Sequence, residues 1–130
     1  MVGAYDSRFL EGVRLFNERE FFACHDVLEE LWGETLGRDR AFYQGLIHAA
    51  VALFHFEGGN LGGARKMYES ARRYLQPYGP AHRGLNLTAF LDDLQACFAD
   101  LLIATNEYPH GVTLEAGRIP TIQFMTVTLP

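Results

Sequence analysis

Residues 41–57 read AFYQGLIHAAVALFHFE, and this stretch decides the fold. It holds no proline, and its only charged residue is Glu57. On a helix turning about 100° per residue, its apolar side chains fall on nearly every face. A helix of that kind has to be covered by neighbours, so it predicts the central element of a helical bundle. Its least polar part, Gly45 to Phe56, is 12 residues long and contains His48 and His55. That is too short and too polar to span a bilayer.

The flanking sequence supplies the neighbours. Arg38 or Asp39 begins the central helix, and Gly58-Gly59 ends it. Asn60 is a good N-cap for a helix that runs to about Leu75, with Pro77 as its stop. Upstream, a helix is expected from about Arg19 to Trp32, with Gly33 and Gly37 marking its exit. Before it, Phe9, Val13 and Phe16 share one helical face, with Asp6 or Ser7 as N-cap and Asn17 as the stop. Downstream, Pro77 to Gly84 reads as a loop. A fifth helix follows from near Asn86 or Thr88, with Phe90, Leu94, Phe98 and Leu101 in its apolar stripe. Pro109, Gly111, Gly117 and Pro120 keep the rest non-helical, and TIQFMTVTL (121–129) is expected to be extended. The expected architecture is therefore all-α: a single-domain bundle of about five helices over residues 1–107. A non-helical tail, 108–130, would pack on the bundle or on a partner subunit.

Composition bounds the function. The chain has 130 residues, 48% of them apolar, with 17 aromatic side chains available to a core. Its 16 acids and 11 bases give a net charge of −5, which argues against nucleic acid and against an anionic membrane as partners. The charge is uneven. Residues 1–40 hold nine acids and five bases, whereas residues 41–87 hold two acids and five bases. Arg65, Lys66, Arg72 and Arg73 share faces of the fourth helix and read as a solvated basic face, with an anionic ligand or RNA backbone as the alternative. Cys24 and Cys97 form no CxxC motif and are expected as buried, reduced thiols. Met1–Leu10 carries Asp6 and Arg8 where a signal peptide would be apolar, so a cytoplasmic protein is expected. No nucleophile motif, phosphate loop or dinucleotide fingerprint is visible.

One polar cluster stands out. On the second helix His25 lies inside the apolar stripe, Glu29 lies at its edge, and the two are one turn apart. On the central helix Gln44, His48 and His55 form one polar stripe, with Arg40 a turn before it. Buried polar groups need partners, so the simplest arrangement turns this stripe towards His25 and Glu29. Imidazole and carboxylate ligands at such spacing suit zinc, manganese, iron or nickel. The competing reading is a structural hydrogen-bond network. A general-base role is a third option, with no Ser, Cys or Lys nucleophile visibly tied to the cluster. Trp32 reads as a core anchor, and His82 and His110 read as exposed loop residues.

These residues resemble a known family. Phe16-Asn17 and then Phe21 to Trp32 match a signature HxxxExxW. Gln44-Gly45-Leu46-Ile47, His55, Gly59-Asn60 and Ala64 fit the same pattern. The chain is similar, over roughly residues 9 to 76, to the small all-helical proteins called domain of unknown function 309. The resemblance implies a helical bundle of unestablished function. It also implies metal binding by the motif, which would fall on His25 and Glu29, with Trp32 completing the motif. His48 departs from the family's pattern, where Gln is more frequent, and so His55 is the better third ligand.

Two functional expectations follow. The first is a metal- or small-ligand-binding protein using His25, Glu29 and His55, with Arg40, Gln44, His48 and Trp32 around them and a divalent transition metal as cofactor. The second is a non-enzymatic interaction module, in which the helix pair around Gly58-Gly59-Asn60 resembles a tetratricopeptide-type hairpin and the cluster is structural. Both leave room for a homo-oligomer. Catalytic residues and substrate remain unassigned.

Overall fold

Three side-chain caps set where helices begin. Asp6 Oδ1 accepts from the Arg8 amide at 2.8 Å and opens α1, Ser7–Asn17. Asn60 accepts from the Gly63 amide at 3.1 Å and opens α4, Leu61–Leu75. Asn86 accepts from the Ala89 amide at 3.1 Å and opens α5, Leu87–Leu102. Each cap satisfies an amide that has no partner within its own helix. Between them lie α2, Phe21–Glu34, and α3, Asp39–Glu57. The computed structural model describes residues 5–103 and 110–125; among them are five α-helices and a two-stranded sheet.

α3 is the central helix, as its all-round apolarity requires. Phe42, Leu46, Ala49, Ala50, Leu53 and Phe56 are each no more than 3% exposed. α2 and α4 flank it, α1 packs on α2, and α5 packs on α4. Aromatic edges knit the layers together. Phe16 of α1 meets Phe21 of α2 at 5.2 Å and Phe90 of α5 at 5.4 Å, ring centre to ring centre. Each fully buried Phe contributes about 1.5–3 kcal/mol of hydrophobic stabilisation. Cys24 and Cys97 are buried and free. Burial pushes their thiols up to about 12 and about 11, so they are inert packing groups. Among the described residues no helix is long and apolar enough to cross a membrane.

The segment expected as a plain loop has structure of its own. A 3-10 turn at Gln76–Tyr78 leads into a short hairpin, β1 (Ala81–His82) and β2 (Leu85–Asn86). Its two-residue turn, Arg83-Gly84, has positive φ at both positions (49° and 77°), the requirement of a type I′ turn. Arg83 sits there without glycine's freedom because Asp39 holds its guanidinium from Nε (2.9 Å) and Nη2.

The tail is fastened to this hairpin and to α1. Asn17, expected only as a stop signal, is the last residue of α1, and its amide clasps the tail backbone. Its Oδ1 accepts from the Ile122 amide (2.7 Å), and its Nδ2 donates to the Ile122 carbonyl (2.9 Å). Ile122 is buried. The Asn86 amide donates to the Gln123 carbonyl (3.0 Å), and the Met125 amide donates to the Gly84 carbonyl (2.7 Å). Among the described residues of the expected extended stretch, only Phe124 forms a bridge, with Leu85. Residues 1–4 and 104–107 of the expected bundle, and 108–109 and 126–130 of the expected tail, lie outside the described residues. Asn17→Ala is expected to lower stability by about 1–3 kcal/mol, because it leaves two buried backbone groups unpaired. Proteolysis should then begin in 110–125 before the helices open; unchanged protease resistance would contradict the clasp.

Candidate functional site

The polar stripe of α3 does not face α2 as one unit. His48 and His55, seven residues apart, differ by about 20° on a straight helix. They lie on the seam where α3 is flanked by two helices, and each takes a different side.

His48 turns to α4. Its Nδ1 lies 2.7 Å from Ser70 Oγ, and its ring meets Tyr74 edge-on at 5.4 Å. The Gln44 amide lies 3.4 Å from His48 Nε2, with its Nε2 as donor. With the Gln44 amide nitrogen as donor to Nε2, the tautomer that completes this network carries its proton on Nδ1, towards Ser70. Ser70 is a partner that the sequence reading missed. A lone Ser on a helix with many small residues carries no signal of burial, yet it is only 8% exposed. Burial lowers the His48 pKa below the usual histidine range, and the Arg73 charge adds to this. The native state thus binds fewer protons than the unfolded chain. The stability carried by neutral His48 is present above the ordinary histidine pKa and is lost as pH falls through and below that range. His48→Gln should flatten the fall in melting temperature between about pH 7 and 5. An unchanged slope would show that another group causes it.

His55 turns to α2. It lines a cavity of about 150 Å³ with Phe21, Phe22, His25, Val51 and Phe54. Phe22 and Phe54 stand at 5.5 Å, ring centre to ring centre, and remain 56% and 41% exposed. Phe22 also contacts the His25 ring at 5.7 Å. So the structure joins His25 and His55 on one pocket, and places Gln44 and His48 in a separate network. The gathering of three imidazoles with Gln44 is corrected accordingly.

His25 is held by its own helix. Its Nε2 pairs with Glu29 Oε2 at 2.7 Å. Its Nδ1 lies 3.2 Å from Asp26 Oδ1 without hydrogen-bond alignment, and is buried without a partner. Glu29 is 54% exposed and faces water. The His55 Nδ1 takes a 3.4 Å contact from the Asn60 amide. Among the described residues no three His, Cys, Asp or Glu side chains are grouped so that they could hold a metal ion. The side chains of His25, Glu29 and His55 therefore do not fit a three-ligand metal set as they stand.

Trp32 and Arg40 form a third unit, at the far end of α2. The Arg40 guanidinium lies 3.9 Å from the centre of the Trp32 ring. Its Nη1 donates to the carbonyls of Trp32 (3.1 Å) and Thr35 (3.2 Å), capping the negative end of α2. Trp32 packs against the core and at the same time serves Arg40 as a stacking surface.

His82 is not an exposed loop residue. Its Nε2 lies 2.7 Å from Asp39 Oδ1, and its ring packs at 4.6 Å on Phe42. Burial raises the Asp39 pKa, but the bonds from His82 and Arg83 outweigh it and hold the carboxyl below its usual range. His110 is exposed, as expected. The basic residues of α4 serve separate contacts: Arg72 reaches Gln95 of α5 at 3.1 Å, and Arg73 lies 3.5 Å from Ser70.

Fold and site together define a small helical bundle with an aromatic-rimmed pocket between two adjacent helices. Residues 9–67 form a stretch that matches the family model described as Domain of unknown function (DUF309). All six pocket residues lie within it. Among curated relatives, the uncharacterized protein YpuF of Bacillus subtilis (strain 168) is 37% identical over 70 residues, covering 53% of this chain and 40% of YpuF. An uncharacterized protein of Aquifex aeolicus (strain VF5) is 31% identical over 83 residues, covering 61% of this chain and 25% of that protein. The chain thus spans well under half the length of these relatives. No solved structure gives a significant match.

Proposed function

We propose that this chain is a non-enzymatic interaction module whose α2–α3 pocket receives one apolar side chain of a protein partner. The observation that carries this reading is the exposed pair Phe22 and Phe54 standing over a cavity of about 150 Å³. Sites for drug-sized ligands are larger, about 300–1,000 Å³. A cavity near 150 Å³ suits a single isobutyl or phenyl group. Large aromatic side chains left in water next to such a cavity are what interfaces use as anchors. In this reading His25 has a positioning role. The close approach of Glu29 to its Nε2, at 2.7 Å, orients the ring that forms one wall, and that ring packs against Phe22.

The test is an NMR titration of the protein with N-acetyl-leucine amide, beside N-acetyl-alanine amide. Saturable shifts at Phe22, His25, Val51, Phe54 and His55 with the leucine probe, and none with the alanine probe, are expected. Equal responses to both, or shifts elsewhere, would overturn the reading. The metal alternative of the family resemblance is checked on the same preparation, purified without chelator. Metal well below one ion per chain is expected. Near-equimolar zinc, manganese, iron or nickel that disappears in His25→Ala would instead establish a metal site.

A further inference from the structure

The pocket is apolar, but its surroundings carry one sign of charge. Glu20 immediately precedes Phe21 at the start of α2, and Glu57 closes α3 three residues after Phe54. The two carboxylates are near enough to act on each other. Desolvation and the Glu20 charge together push the Glu57 carboxyl above the usual range. At the other side of His25 stand Asp26, 3.2 Å from Nδ1, and Glu29, 2.7 Å from Nε2. Among the described residues no lysine or arginine lines the pocket. The nearest arginines in sequence are engaged elsewhere. Arg19 donates to the Ala116 carbonyl at 3.1 Å, and Arg14 pairs with Glu11 and Glu18. Like charges left facing one another without a cation are a cost that an incoming cation removes.

We propose that the pocket's partner is a protein segment presenting an apolar side chain between lysine or arginine residues. This rests on the reading of the pocket as an anchor site. The apolar side chain would fill the cavity between Phe22 and Phe54. The flanking cations would lie against Glu20 and Glu57 on one side and against Asp26 and Glu29 on the other. Such pairs at a rim add modest affinity and more selectivity, and salt screens them.

Three peptides test it: acetyl-Lys-Lys-Leu-Lys-Lys-amide, acetyl-Ser-Ser-Leu-Ser-Ser-amide and acetyl-Glu-Glu-Leu-Glu-Glu-amide. Binding is followed by NMR shifts at the pocket residues. At low salt the lysine peptide is expected to bind about tenfold more tightly than the serine peptide, as two or more rim pairs would give. High salt should remove most of that ratio. The Glu20→Gln/Glu57→Gln variant should cut the lysine peptide's advantage from about tenfold to about threefold, because Asp26 and Glu29 remain, while the serine peptide keeps its Kd and so reports an intact fold. Equal binding of all three at the pocket would overturn the charge inference and leave the anchor reading standing. No pocket shift with any of them would overturn both. Lysine-peptide binding that survives Phe22→Ser/Phe54→Ser would be non-specific attraction to the acidic surface and would also overturn the inference.

Discussion

Gly45→Val is expected to cost about 2–3 kcal/mol of stability, read from urea denaturation. An ideal Cβ at Gly45 would stand 2.6 Å from Leu75 Cγ and Cδ2 and 3.1 Å from Tyr74 Cβ. Leu75 is fully buried, so its side chain has nowhere to turn. Overpacking of this kind costs about 1–3 kcal/mol, and valine adds methyl groups beyond the Cβ. Against this, replacing a helical glycine returns only about 0.5–1 kcal/mol. The penalty therefore wins. Gly33→Ala is the control: it lies in α2 with nothing within 4 Å of the new Cβ, and should stabilise by up to about 1 kcal/mol. The Gly45 variant tests the close approach of α3 and α4, which also sets the distance between His48 and Ser70. A neutral Gly45→Val would mean that the two helices are further apart than described.

Phe22→Ser/Phe54→Ser is expected to abolish binding of an apolar anchor while leaving the fold intact. Both rings are substantially exposed, so the loss of folding stability should stay near 1 kcal/mol. An anchor residue at the centre of an interface contributes about 2 kcal/mol or more, or roughly thirtyfold each in Kd. Loss of both should weaken the leucine probe by a hundredfold or more. Retained affinity with an intact fold would remove the pocket from the site.

The bundle was legible because its signals are local and agree with one another. The all-round apolarity of residues 41–57 marked the buried helix. Asp6 or Ser7, Asn60, and Asn86 or Thr88 marked three helix starts, and Asp6, Asn60 and Asn86 make the caps. The site was legible only in part. Spacing on one helix brought His25 to Glu29, one turn apart, and that pair is present. Spacing could not decide which neighbour each face of α3 meets. His48 and His55 look equivalent on a helical wheel, yet they serve α4 and α2 respectively. Contacts across long sequence separations left no local mark. His82 with Asp39 and Asn17 with Ile122 depend on tertiary placement, and Arg40 meets Trp32 only through the turn between α2 and α3. Phe22 and Phe54 were missed for a different reason. An aromatic residue near an apolar stripe reads as core, and only the fold shows that both rings face water.

An isotope-filtered NOE experiment reaches the pocket itself, with labelled protein and unlabelled N-acetyl-leucine amide at saturation. Contacts between the probe's methyl protons and the ring protons of Phe22 and Phe54, lost in Phe22→Ser/Phe54→Ser, are the expected result. Methyl contacts to other residues, or none at saturation, would contradict an anchor site between α2 and α3.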